Sequence, residues 1–115
     1  MSASEPERGD VWSISLDPTL GREQAGTRPA LVVSVDKFNH GPAELVIVIP
    51  ITKKKKNIPS HVFVPKGEAG LDVDSYIKVE DIRSVSTERL IRCRGDLTYP
   101  RIEEVQRILR VLLGL

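Results

Sequence analysis

The sequence predicts a mainly β (α+β) domain: a small antiparallel sheet, strongly curved or rolled into a partly open barrel, with one C-terminal α-helix packed on it. Three observations carry this. Short apolar or alternating runs recur from Val11 to Leu97, punctuated by Gly, Pro, Asn and Asp. Helical periodicity shows only at the C-terminal end. Consecutive short strands need no parallel crossover, so they are expected to pair antiparallel.

Residues 1–8 read as a disordered arm and 9–115 as a single domain. Val11–Leu16 alternates, with Trp12, Ile14 and Leu16 on one face, and predicts a half-buried strand. Asp17-Pro18 ends it. Ala30–Val35 is apolar and β-branched, as expected of a strand buried on both faces. Asp36–Pro42 reads as a turn. Glu44–Ile51 is the strongest strand signal, with Pro50 marking a bulge or the exit and Thr52 at its mouth. Lys53–Lys56, closed by Asn57-Ile58-Pro59, predicts a solvated loop. His61–Val64 is a short strand and Lys66–Asp74 a turn region. Ser75–Glu80 is a strand carrying Tyr76, Lys78 and Glu80 on one face. Ser84–Leu90 reads as a strand and turn, and Arg92–Leu97 as a strand with Cys93 and Leu97 facing inward. In the final helix Pro100 suits the first turn, and Glu103 and Glu104 suit the positive end. Ile102, Val105, Leu109 and Leu112 form the apolar stripe, and Gly114 closes it.

Composition narrows the function classes. The chain has 115 residues, 40% hydrophobic and 29% charged, as a folded domain with a modest core requires. Its net charge of +1 disfavours coating nucleic acid by bulk charge, so any such site must be a local patch. The single cysteine, Cys93, precludes an internal disulfide, and with His40 and His61 it makes no zinc pattern. No metal and no cofactor are expected. No apolar run reaches membrane-spanning length, and MSASEPERGD lacks the apolar core of a signal peptide, so a cytoplasmic protein is expected.

The stretch from Leu16 to Ser34 is the most informative. Between two strand-like runs lie Arg22, Glu23, Gln24, Thr27 and Arg28, a set suited to gripping an anion, because an arginine fork can bond two phosphate oxygens. Pro29 holds Arg28 extended at the lip of the next strand. The same chemistry fits an ordinary surface arginine in a hairpin loop equally well.

Four segments, in order, resemble one family. Arg8-Gly9-Asp10-Val11-Trp12 is similar to its opening RGDVW strand. Gly21 to Val33 is similar to its G-x-E-Q-x-G-x-R-P-x-x-V signature. Ile49-Pro50-Ile51-Thr52 is similar to its P-[IL]-T strand end. Val79 to Val85 is similar to its [DE]-Q-[IV]-[RK]-[ST]-[IV] stretch, with Asp81 where the family usually has glutamine. The family is the MazF/PemK (Kid) toxins of bacterial toxin–antitoxin pairs, and the resemblance runs from about Arg8 to Leu115.

The resemblance implies an SH3-like, CcdB-like barrel that forms homodimers. It implies a sequence-specific, metal-independent endoribonuclease acting on single-stranded RNA. A cognate antitoxin inhibits by laying a disordered segment across the RNA groove. Cleavage proceeds by attack of the 2′-hydroxyl on phosphorus, leaving a cyclic phosphate and a 5′-hydroxyl. Arg28 matches the essential arginine, for phosphate and transition-state charge, and Thr52 a hydroxyl donor to phosphate. Glu23 matches a carboxylate that orients Arg28. Glu80 matches a position used as base, and Lys78 one where some members place an arginine as acid. Arg22 stands where some members carry histidine or serine. RNA contacts are assigned to Arg22, Gln24, Thr27, Lys53, Lys54, Lys55, Lys56, Asn57 and Tyr76. Two other readings stay open: a non-catalytic nucleic-acid-binding SH3-like barrel, and a gyrase-poisoning toxin on the same fold, whose family lacks the G-x-E-Q-x-G-x-R-P signature.

Overall fold

The computed structural model describes residues 5–16 and 26–115. Seven strands, β1 (Asp10–Ser15), β2 (Thr27–Val32), β3 (Leu45–Thr52), β4 (His61–Val64), β5 (Ser75–Lys78), β6 (Arg83–Ser86) and β7 (Leu90–Asp96), pair antiparallel throughout. Their order is β4-β5-β3-β2-β1-β7, with β6 beside β3. Among the described residues two α-helices complete the fold: α1 (Asp36–Asn39), where a turn was expected, and α2 (Tyr99–Leu113).

The sheet stays open, in line with the expected curved sheet or partly open barrel: among the described residues no ladder joins β4 to β7. Side-chain and turn contacts bridge the gap instead. The 3₁₀ turn Glu68–Gly70 packs on β7, with Gly70 at φ +69, and a Cβ there would collide with the Arg94 carbonyl. Glycine alone tolerates both the left-handed backbone and that approach. Arg94 returns the contact, donating from Nη2 to the Gly70 carbonyl at 2.9 Å and to Asp72 at 3.1 Å.

β3 is the hub because it is long and changes partner along its length. Leu45–Val48 pair with β6, whereas Ile51 and Thr52 pair with β5, and Pro50 lies between the two ladders. Its odd and even residues feed separate cores. Ile49 and Ile51 join Val11, Leu31, Val62, Val64 and Ile77 under α2. Val46 and Val48 join Trp12, Ile14, Ala30, Val32 and Val85 on the opposite face. β1 is therefore buried on both faces rather than half-buried: Val11, Trp12, Ser13 and Ile14 are all buried. Each such Val or Ile contributes about 1.5–3 kcal/mol.

Three further expectations change. Cys93 is exposed. Pairing of β1 with β7 slips twice, leaving Arg94 and Ile91 as extra residues. The bulge at Arg94 breaks the period of two between Leu97 and Cys93, so counting back from buried Leu97 misplaces Cys93. Leu112 is 48% exposed, since α2 rests on the sheet through Ile102, Val105, Ile108 and Leu109 and its last turn runs past the core. Because α2 starts at Tyr99, Glu103 and Glu104 fall in its second turn.

Residues 5–8, assigned to the N-terminal arm by the sequence, make defined contacts. Arg8 donates from its backbone N–H to Asp36 Oδ1 at 2.7 Å and from Nε to the Val33 carbonyl at 3.2 Å. His40 Nε2 lies 2.8 Å from the Pro6 carbonyl oxygen.

Candidate active site

Strand register assembles the site. Ile14 faces Arg28 across β1–β2. Ala30 faces Pro50 across β2–β3, so the same register carried two residues further sets Arg28 opposite Thr52. The ladder stops short of that pair, where Pro29 and Pro50 supply no amide donors. Thr52 in turn faces Tyr76, and Tyr76 faces Phe63. Directly opposed residues share a face of the sheet. Arg28, Thr52, Tyr76 and Phe63 therefore form one row across four strands, with His61 facing Lys78 in a parallel row beside it. The other face of β4 and β5, through Val62, Val64 and Ile77, is committed to the core under α2.

Arg28 stands between two recesses. One holds Thr27, Thr52, Lys53 and Lys54. The other holds Lys78, Glu80, Arg83 and Arg89. A third recess holds Lys55, Asn57, His61, Phe63, Asp74 and Tyr76. The structure thus brings Arg28 together with Thr52 on one side and with Lys78 and Glu80 on the other. Lys55, Asn57 and Tyr76 belong to the neighbouring recess. Arg22, Glu23 and Gln24 lie outside the described residues.

Thr52 is 8% exposed, and its hydroxyl oxygen accepts from the Lys54 N–H at 3.2 Å. That bond uses a lone pair, so the hydroxyl proton is available to another acceptor. The loop beyond is exposed from Lys53 to Asn57. Asn57 closes it at φ 53, a left-handed conformation that asparagine tolerates better than most residues.

Glu80 departs from the expected picture. β5 ends at Lys78, and Glu80 sits in the 3₁₀ turn Val79–Asp81 rather than in strand alternation. Its Oε1 accepts from the Ser60 hydroxyl at 2.7 Å, and its Oε2 lies 2.9 Å from His61 Nε2. Burial pushes the Glu80 carboxyl up, but the bonds from Ser60 and His61 together outweigh it and hold the group below its ordinary value. The His61 side chain is almost fully buried, and its Nδ1 has no hydrogen-bond partner among the described residues. Lys78 Nζ pairs with Asp81 Oδ2 at 2.9 Å. Lys78 and Glu80 therefore line one recess with separate partners.

Sequence reasoning missed His61, Phe63, Arg83 and Arg89 as lining residues. For β4 a signal existed: His61 and Phe63 alternate with Val62 and Val64, the pattern of a strand with one face committed to the core. Among the described residues, no group of three or more His, Cys, Asp or Glu side chains is placed to hold a metal ion.

Known proteins share this fold. Residues 7–113 match the family model described as PemK-like, MazF-like toxin of type II toxin–antitoxin system. The chain is 35% identical over 113 residues to the endoribonuclease MazF9 of Mycobacterium tuberculosis, covering 94% of this chain and 96% of that protein. It superposes on the crystal structure of MazF (Form-I) from Deinococcus radiodurans with a TM-score of 0.81 at 29% identity, covering 97% and 99% of the two chains. A MazE–MazF structure (Form-III) from the same organism gives a TM-score of 0.81 at 28% identity, with coverage of 97% and 99%.

Proposed function

The chain belongs to the PemK-like, MazF-like toxins of type II toxin–antitoxin systems, and from that premise we propose that it is an endoribonuclease toxin that cleaves single-stranded RNA and is inhibited by a cognate antitoxin. The observation that supports the reading is the recess that Arg28 lines together with Thr52, Lys53 and Lys54, beside a second that it lines with Lys78, Glu80, Arg83 and Arg89.

The chemistry is an internal transfer at phosphorus. The 2′-oxygen forms a bond to phosphorus, the bond to the 5′-oxygen breaks, and the fragments carry a 2′,3′-cyclic phosphate and a 5′-hydroxyl. Single strands are the substrate because a paired helix holds the 2′-oxygen out of line. Arg28 spans two phosphate oxygens with its fork and opposes the added negative charge of the transition state. Thr52 donates its free hydroxyl proton to a phosphate oxygen. Glu80, ionised through the neutral range, accepts the 2′-hydroxyl proton. Lys78, in the same recess, supplies the proton for the leaving 5′-oxygen. Glu23 orients Arg28. Thr27, Arg22, Gln24, Lys53–Lys56, Asn57 and Tyr76 contact the RNA along its length. No step calls for a metal or cofactor.

An antitoxin segment laid over this face would occlude Arg28 and Thr52 together. The protein acts as a homodimer, for which the apolar surface of Val111, Leu112, Leu113 and Leu115 at the end of α2 offers contact area. No helix among the described residues is long and apolar enough to cross a membrane, in keeping with action in the cytoplasm. The test is incubation with a long unstructured RNA in EDTA, with fragment ends mapped. Discrete fragments with cyclic phosphate and 5′-hydroxyl ends are expected. Intact RNA with retained binding would replace this reading with a non-catalytic RNA-binding domain.

A further inference from the structure

Two of the chain's five Phe, Tyr and Trp residues meet on the site face; the reading above gives Tyr76 only a general RNA contact and Phe63 no task. Phe63 and Tyr76 are cross-strand partners with ring centroids 5.5 Å apart and planes tilted by 42°. Phe63 is 43% exposed on β4, an end strand of the sheet. Paired with Tyr76 on the site face, the ring offers an open aromatic surface to a ligand.

We propose that the Phe63–Tyr76 pair is the stacking platform for one nucleobase of the single-stranded RNA, beside the phosphate held at Arg28 and Thr52. The inference rests on the endoribonuclease reading for the direction of the strand. Three observations support it. The rings continue the row of Arg28 and Thr52, and neighbouring strands lie about 4.8 Å apart, so Phe63 stands roughly 10 Å from Thr52, within reach of the base next to a bound phosphate. The recess around the rings carries Lys55, a cation for the backbone. It also carries Asn57 and Asp74, whose amide and carboxylate offer donors and acceptors to a base edge. Asp74 is held in place by the Lys66 N–H bonded to its Oδ1 at 2.9 Å. Aromatic faces flanked by fixed polar groups are how proteins hold and read unpaired bases.

The experiment uses the full chain and a short single-stranded RNA carrying the cleavage sequence mapped on long RNA, with an abasic site placed at each position in turn. Phe63→Ala is expected to lower kcat/KM roughly 5- to 150-fold, chiefly through KM, the range for losing one stacked base. Phe63→Leu, which keeps an apolar side chain but has no aromatic face, should fall equally, and Phe63→Trp should recover. Wild type should be sensitive to one abasic position, and Phe63→Ala should be indifferent there. The proposal is overturned if Phe63→Ala cleaves within twofold of wild type with the same abasic profile. It is overturned too if Leu restores activity, or if the variant changes only inhibition by the antitoxin, which would make the rings a peptide-docking site. Should wild type cleave no RNA, the endoribonuclease reading falls. The platform is then judged by fluorescence anisotropy with oligouridine and oligoadenosine, and equal affinity for wild type and Phe63→Ala would overturn it.

Discussion

Thr52→Val separates catalysis from folding at a single oxygen. Valine keeps the β-branch that suits the end of β3 and the near-complete burial of the site, and it removes only the hydroxyl. The structural loss is one hydrogen bond, from the Lys54 N–H at 3.2 Å, worth about 0.5–1.5 kcal/mol. Lys54 lies in the exposed loop, where water can take over that donor, so the net loss sits at the low end. The catalytic loss is larger. Removing one preorganised donor to a charged transition state costs about 2.7–4 kcal/mol, roughly 100- to 1,000-fold in kcat. Single-turnover cleavage of a saturating RNA oligonucleotide reads the catalytic loss, and urea unfolding reads the structural one. The expected result is a fall in rate of that size with stability nearly unchanged, and partial recovery in Thr52→Ser. A rate within threefold of wild type would refute a role for the hydroxyl at the phosphate. Equal losses in rate and stability would make it a structural group.

Three more outcomes follow from the same geometry. On the Thr52→Val background, where cleavage is slow enough for binding to be read first, replacing Lys53–Lys56 by alanine should flatten the dependence of log affinity on log salt by up to about 3, at about 0.7 for each phosphate no longer neutralised; an unchanged slope would remove the loop from the RNA path. Because Glu80 is held below its ordinary value of 4.5, its contribution to stability is present above about pH 4.5 and lost as pH falls through the folded-state value. Glu80→Gln should therefore be less stable than wild type at neutral pH and converge with it in acid, and a gap constant with pH in urea titrations would count against the Ser60–Glu80–His61 network. Gly70→Ala should cost about 2–5 kcal/mol, from the left-handed backbone and the clash with Arg94, and wild-type stability would show that this turn does not tie β7 to the sheet.

The sequence was most legible where burial imposes a period. Ala30–Val33, Leu45–Ile51 and His61–Val64 could be read as strands because burial causes each pattern: unbroken apolarity where two cores lie on opposite faces, alternation in β4 where only Val62 and Val64 meet a core. Cys93 was misread because the β7 bulge at Arg94 resets the count from Leu97, and no local residue preference marks a bulge set by its partner strand. Glu80 was misplaced for a related reason: the 3₁₀ turn at Val79–Asp81 ends β5 before the alternation reaches it. The site shows the same limit. Arg28 and Thr52 each stood out, one before a proline and one at a strand mouth, but their opposition depends on β2–β3 register, a non-local quantity. Phe63 and His61 join the site only because β4 pairs with β5, so a reading along the chain had no reason to connect them to Arg28. The resemblance to the MazF/PemK toxins supplied the roles that residue chemistry alone left open.

The central claim is that Arg28 acts at the scissile phosphate through both its charge and its fork. The direct measurement compares wild type, Arg28→Lys and Arg28→Ala for cleavage of the mapped RNA in EDTA, with RNA affinity and unfolding followed in parallel. Stable folds are expected, with affinity largely kept in Arg28→Lys and cleavage lowered by at least about 100-fold in both variants, since a lysine restores charge without the two-oxygen grip. Full cleavage by Arg28→Ala would contradict the claim and move the chemistry away from the β2–β3 row.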